Sequence, residues 1–191
     1  MRGGLERAVA IGGSAGAVQA LLKILPALPA DYPHPVLVVV HVPAGRDNAL
    51  VPLFQARAKV AVKEAEDKEP AQPGFVYFAP ADYHLLVEAD ETLSLSSDEP
   101  VNMSRPAIDV LFESAADAFG ARLTAVVLTG ANADGAEGLR AVVAAGGEAL
   151  VEDPADAYAP AMPEAALKAG RGARCMSLEA IASHLLKLGT A

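Results

Sequence analysis

The sequence predicts an α/β domain with a doubly wound, mostly parallel sheet and an antiparallel hairpin edge. Three observations lead there. Apolar runs rich in Val and Ile recur along the chain, stretches of helical periodicity separate them, and in the middle the connections shorten to two or three residues.

Taken in order, AVAIGG (8–13) and PVLVVVH (35–41) read as strands buried on both faces. Between them Val18, Leu21, Leu22 and Leu25 recur at i, i+3, i+4 and i+7, and Pro26 stops that helix. A second helix is expected near 47–58, then a short strand, KVAVKEA (59–65). The acidic stretch EAEDKEPAQPG (64–74) reads as a solvated loop. GFVYFAP (74–80), YHLLVEA (83–89) and TLSLSS (92–97) read as antiparallel hairpins, because a parallel crossover needs about a dozen residues or more. After NMSRP, Ile108, Leu111, Phe112, Ala115 and Phe119 share one helical face, with Pro106 in the first turn. LTAVVLTG (123–130) is another buried strand, and Leu139, Val142 and Val143 mark a helix ended by Gly146-Gly147. EALVED (148–153) and ARCMSL (173–178) are further strands, and Leu178, Ile181, Leu185 and Leu188 form a closing helix capped by Ser177.

The 191 residues read as a single domain that buries enough surface to need no staples. A net charge of −9, with no Lys/Arg cluster, argues against nucleic-acid partners. No apolar run is long enough to span a bilayer, and Glu6 with its neighbouring glycines breaks any signal-peptide layout. Cys175 stands alone, so an internal disulfide is excluded and a reducing cytoplasm is the expected home. His34, His84 and His184 are scattered, and no metal or cofactor is expected.

In open α/β sheets ligands gather at the carboxyl ends of the strands. Three reactive side chains fall there: Ser14 after the first strand, His41 ending the second, and Asp134 after LTAVVLTG. Together they supply a nucleophile, a base and an orienting carboxylate. Each also has a plainer reading: Ser14 as a helix cap, Asp134 with Glu137 as a capping box, His41 as a core histidine. The glycine-rich turn of Gly12, Gly13 and Gly16 can instead cradle a phosphate, but neither G-x-G-x-x-G nor a Walker ending is matched. GGSAG fits the nucleophile-elbow pattern G-x-S-x-G, yet the order Ser, His, Asp is not that of the α/β-hydrolases. The immediate surroundings of the site are Gly13, Ala15 and Gly16 beside the serine, and Ala131 and Asn132 beside the aspartate, with backbone N–H groups near Gly16 as oxyanion donors.

With these residues in place the sequence resembles the catalytic domain of the chemotaxis protein-glutamate methylesterases, the CheB family. The blocks that carry the likeness are IGGSAG, VVVHVP, GFVYFAPADYHL, NMSRPAIDVLFESAA, VVLTGANADGAEGL and MPEAA, in that order across nearly the whole chain. The resemblance implies a Ser14–His41–Asp134 triad that hydrolyses γ-glutamyl methyl esters on chemoreceptor signalling helices and, in many members, deamidates receptor glutamines. Two departures stand out. Full-length members carry an N-terminal receiver domain, whereas here the first strand begins about eight residues in, so a stand-alone module controlled by a separate regulator is expected. The family's usual Thr after the nucleophile is Ala15, its Gly-Gly is Gly16-Ala17, its Met and Asn in the aspartate loop are Ala131 and Ala133, and Asn132 replaces a usual Gly. Two readings stay open beside the methylesterase: another esterase or amidase with the same triad, and a non-catalytic binding module.

Overall fold

In the computed structural model, which describes residues 4–42 and 49–190, the chain forms nine strands and six α-helices. The first half holds β1 (Ala8–Gly13), α1 (Ala17–Ile24), β2 (Val36–Val40), α2 (Leu50–Arg57), β3 (Ala61–Glu64) and β4 (Phe75–Phe78). A hairpin follows, β5 (His84–Val87) and β6 (Leu93–Ser96), then α3 (Ile108–Phe119). The second half comprises β7 (Leu123–Val127), α4 (Ala136–Ala144), β8 (Glu148–Glu152), α5 (Ala161–Ala169), β9 (Arg174–Met176) and α6 (Leu178–Leu188).

Seven strands make one parallel sheet in the order β3-β4-β2-β1-β7-β8-β9. Chain order reverses between β1 and β7, so the carboxyl ends of these two strands flank the topological switch point, where open sheets bind ligands. The side chains of β1 alternate between two apolar layers. Val9 and Ile11 face α1, α2 and α6, whereas Ala8 and Ala10 face α3, α4 and α5. The α3 side of β1 is thus lined by small residues, and it ends in Gly12. A Cβ on Gly12 would lie 2.4 Å from Ile108 Cγ2, so only glycine lets the first residue of α3 rest on the strand backbone. That close approach brings the start of α3 to the switch point.

The fold class is as expected, with three differences in detail. GFVYFAP is not part of a hairpin: β4 pairs in parallel with both β2 and β3 inside the main sheet. The acidic loop 65–74 carries the chain from β3 to β4 without a helix, and the short connection after β4 leads out of the sheet rather than back along it. Among the described residues the antiparallel strand pair is β5-β6 alone, a separate two-stranded sheet that leans on α3, where the Ser114 hydroxyl accepts the Val87 N–H at 3.0 Å. Helix α5 lies outside the sequence expectation. Pro160 and Pro163 mask its start, and its buried face is only Met162, Pro163 and Ala166. Pro106 precedes α3 rather than joining its first turn, with Ala107 as the N-cap. The helix expected at 47–58 is described from Leu50, and residues 47 and 48 lie outside the described residues. Ser177 caps α6 as expected, its hydroxyl accepting the Ala180 N–H at 3.1 Å.

Candidate active site

Ser14 follows the last residue of β1, and His41 follows the last residue of β2. Gly13 and Val40 are partners in register, and the ladder runs one step further as the His41 N–H donates to the Gly13 carbonyl at 3.2 Å. On its other flank Ser14 donates its N–H to the Thr129 carbonyl at 2.9 Å, beyond the end of β7. Ser14 is thereby pinned between two parallel neighbours at the rim of the sheet. Its hydroxyl makes no hydrogen bond among the described residues, and the N-cap of α1 is Gly16, at φ 85°, with no side-chain cap. The capping reading of Ser14 therefore fails.

His41 and Asp134 do meet: Nε2 lies 2.7 Å from Oδ2. The imidazole is 12% exposed and the carboxylate fully buried. With Nε2 committed to the carboxylate, Nδ1 is the ring nitrogen left to exchange a proton with a hydroxyl. No hydrogen bond joins that ring to Ser14 in this structure, consistent with catalytic contacts that tighten only when substrate is bound.

Asp134 is not a cap of its own helix. The N-cap of α4 is Gly135, without a side-chain partner, and Glu137 instead pairs with Arg140 at 2.6 Å. Asp134 reaches across to α3, accepting the Ile108 N–H at 2.7 Å and the Asp109 N–H at 3.1 Å, and it also takes the Asn102 amide at 2.8 Å. Burial by itself would raise its pKa. The hydrogen bonds from His41, Ile108, Asp109 and Asn102 outweigh that burial and hold the carboxyl below its ordinary value. An ionised carboxylate in this position fixes the imidazole's orientation.

Asp109, Asn102 and Thr129 escaped the sequence reading. Asp109 Oδ1 accepts the N–H groups of Gly135 and Gly138 at 3.0 and 2.7 Å, and Asn102 donates to Asp109 Oδ2 at 2.7 Å as well as to Asp134. The available signal was an acid in the first turn of α3, beside Ile108 and at i−3 from Phe112, on the side of the helix that its apolar residues bury. Thr129 holds the serine turn from behind: besides taking the Ser14 N–H, its hydroxyl lies 2.9 Å from the Ala15 carbonyl. Its own N–H goes to the buried Glu152 carboxylate at 2.7 Å. Burial, helped by nearby Asp156, raises the Glu152 pKa.

At the serine turn the N–H groups of Ala15 and Gly16 have no hydrogen-bond partner among the described residues, and neither do those of Val18 and Gln19 in the first turn of α1, whereas the Ala17 N–H is used by the Ser14 carbonyl at 2.9 Å. Of these donors, Ala15 and Gly16 directly follow Ser14 in the chain. Ala131, Asn132 and Ala133 are exposed, and the Asn132 side chain turns inward only to accept the Asp134 N–H at 3.0 Å. A cavity of about 220 Å³ opens beside His41, walled by Asp82, Met103, Ser104 and Arg105. Among the described residues no cluster of His, Cys, Asp or Glu is arranged to hold a metal ion, and no helix is long and apolar enough to cross a membrane.

Comparisons with known proteins cover nearly the whole chain. The family model for the CheB methylesterases matches residues 9–185. A Leptospira interrogans relative is 44% identical over 181 residues, an alignment covering 95% of this chain and 94% of that one. A Symbiobacterium thermophilum protein named protein-glutamate methylesterase/protein-glutamine glutaminase is 37% identical over 95% of this chain but only 50% of its own length. Among solved structures, the CheB methylesterase catalytic domain of Thermotoga maritima superposes with a TM-score of 0.90 at 34% identity, covering 95% of this chain and 98% of that one. A likeness that spans the sheet, the hairpin and every site-bearing loop leaves one assignment: the chain belongs to the CheB methylesterase family.

Proposed function

We propose that this protein removes methyl esters from glutamate side chains of chemoreceptors, with Ser14 as nucleophile, His41 as general base and Asp134 as the carboxylate that orients the base. The observation that carries the roles is the 2.7 Å pair of a nearly buried imidazole with a fully buried carboxylate, seated one residue past the strand that neighbours Ser14. In the reaction His41 takes the Ser14 proton as Oγ attacks the ester carbonyl, and Asp134 stabilises the imidazolium that forms. The oxyanion develops beside the turn, where the Ala15 and Gly16 N–H groups are unpartnered among the described residues. Methanol leaves, water repeats the cycle on the acyl-enzyme, and a free glutamate results.

An amide in place of the ester passes through the same tetrahedral geometry, so deamidation of a receptor glutamine is within reach of the same groups. The substrate helices lie on the cytoplasmic side of the receptors, which is where this reading places the enzyme. Ser14→Ala is expected to abolish methanol release from methylated receptor while leaving the fold intact by circular dichroism. Undiminished release refutes the serine assignment.

A further inference from the structure

Residues 101–104 form a tight two-residue turn in which Val101 and Ser104 exchange backbone hydrogen bonds at 3.1 and 2.9 Å. Both central residues have positive φ, 51° at Asn102 and 59° at Met103, the arrangement of a type I′ turn. Such a turn normally takes Asn first and glycine second, because a side chain at the second position is strained. Asn102 conforms, and its amide ties the turn to Asp134 and Asp109. Met103 does not conform. Of the five non-glycine residues at positive φ among the described residues, it alone is apolar, and it is 97% exposed. A strained backbone that holds an unburied thioether in water gains nothing for the fold, and such outliers persist where they serve a site.

The site is adjacent, since Met103 walls the cavity next to His41. A second exposed apolar side chain stands at the serine turn. Tyr158 is 82% exposed, and a Cβ on Gly16 would lie 2.7 Å from its Cβ. The cavity, at about 220 Å³, is smaller than the roughly 300–1,000 Å³ of pockets that enclose a whole small ligand. It has room for about a single side chain, so a protein substrate that reaches His41 must rest most of its surface outside, on the rim that Met103 helps to form. We propose that Met103 is a specificity-determining residue that, with Tyr158, grips the helix carrying the ester, resting on apolar side chains of that helix next to the scissile glutamate. The inference rests on the methylesterase reading and names the surface through which a protein substrate is distinguished from a free ester. Methionine suits the task, being flexible and polarizable enough to pack on varied side chains.

The test compares wild type with Met103→Gly, Met103→Asn and Met103→Leu on a methylated receptor fragment and on the γ-methyl ester of a blocked single glutamate. Gly and Asn relieve the strained position, so both variants are expected to melt higher, Met103→Gly by about 2–4 °C. The same two variants are expected to lose at least tenfold more kcat/KM on the receptor fragment than on the small ester, mainly through KM. Met103→Leu keeps the strain and the apolar tip, and is expected to stay within about twofold of wild type on both substrates. Raised melting temperatures with an unchanged receptor-to-ester ratio overturn the proposal and leave Met103 a tolerated strain. Wild-type hydrolysis of the small ester without any action on the receptor fragment overturns the methylesterase reading and the proposal with it.

Discussion

Asp109 and Asp134 cap each other's helices. Asp134, just before α4, takes the first N–H groups of α3, and Asp109, in the first turn of α3, takes the Gly135 and Gly138 N–H groups at the start of α4. The Asn102 amide donates to both carboxylates, at 2.7 Å to Asp109 and 2.8 Å to Asp134. Each helix thus supplies the acid that satisfies the other's unpaired donors and complements its positive end. The orientation of the residue paired with His41 is consequently a property of the α3–α4 pair, not of one loop.

Removing Asp109 should therefore damage more than a single hydrogen bond. Asp109→Ala leaves two buried N–H groups unpaired and is expected to cost about 2–4 kcal/mol. Urea denaturation should show a lower midpoint with an unchanged slope. Asp109→Asn keeps an acceptor for Gly135 and Gly138 but turns an amide N–H₂ toward the Asn102 donor, so its loss should fall between wild type and Ala. A midpoint for Asp109→Ala within error of wild type would deny the reciprocal cap.

The buried carboxylates carry opposite pH signatures. Asp134 is held below its ordinary value, so the stability it contributes is complete above an unfolded pKa of about 3.9 and disappears as pH falls through its lower native pKa. Glu152 is held above its ordinary value by burial, so its charge costs stability at neutral pH and the cost is relieved as pH falls through that raised native pKa. Glu152→Gln removes the titration while its amide oxygen still accepts the Thr129 N–H. The variant's melting temperature relative to wild type should be highest at neutral pH and decline as pH falls through the native pKa of Glu152. A difference that does not vary with pH would show that Glu152 bears no such cost.

Much of this molecule was legible because its strands are buried on both faces. AVAIGG and LTAVV could not be anything but central strands, and their ends located Ser14 and the loop bearing Asp134. The placement of FVYF was not legible, since a short apolar strand looks the same whether the neighbour is parallel or antiparallel. Nor was α5, whose two prolines hide a helix with a narrow buried face. Asp109 and Thr129 were hidden for another reason. Their roles depend on which backbone N–H or carbonyl they meet on a neighbouring element, and no side-chain periodicity encodes that.

Gly12 tests how far the site depends on the approach of α3. Gly12→Ala drives a methyl group into Ile108, whose N–H is held by Asp134. Overpacking of this kind costs about 1–3 kcal/mol, and here it also pushes the α3 start away from the carboxylate. Activity should fall more than stability alone explains. The double variant Gly12→Ala/Ile108→Ala removes the clashing atoms and should recover part of the turnover lost in the single glycine variant, a non-additivity that a double-mutant cycle measures. Strict additivity in turnover would mean that the Ile108 contact does not transmit to Asp134.

Thr129 governs the aim of the serine turn. Its hydroxyl lies 2.9 Å from the Ala15 carbonyl, and it accepts the Ala159 N–H at 2.8 Å. In a trans peptide the carbonyl and the following N–H point in opposite directions, so fixing the Ala15 carbonyl on Thr129 aims the Gly16 N–H away from Thr129, outward from the turn. With alanine at position 15 there is no side-chain hydroxyl at that residue to assist, so the proposed mechanism leaves the oxyanion to backbone N–H groups. Losing an oxyanion donor outright costs about 100- to 1,000-fold in kcat, and loosening its aim should cost less. Thr129→Val, nearly the same in shape but without the hydroxyl, is expected to lower kcat by about tenfold with little change in KM. Thr129→Ser restores the hydrogen bond and should restore kcat, which a merely structural role for the methyl group would not allow. Equal kcat for the Val and Ser variants would remove Thr129 from the account of the oxyanion site.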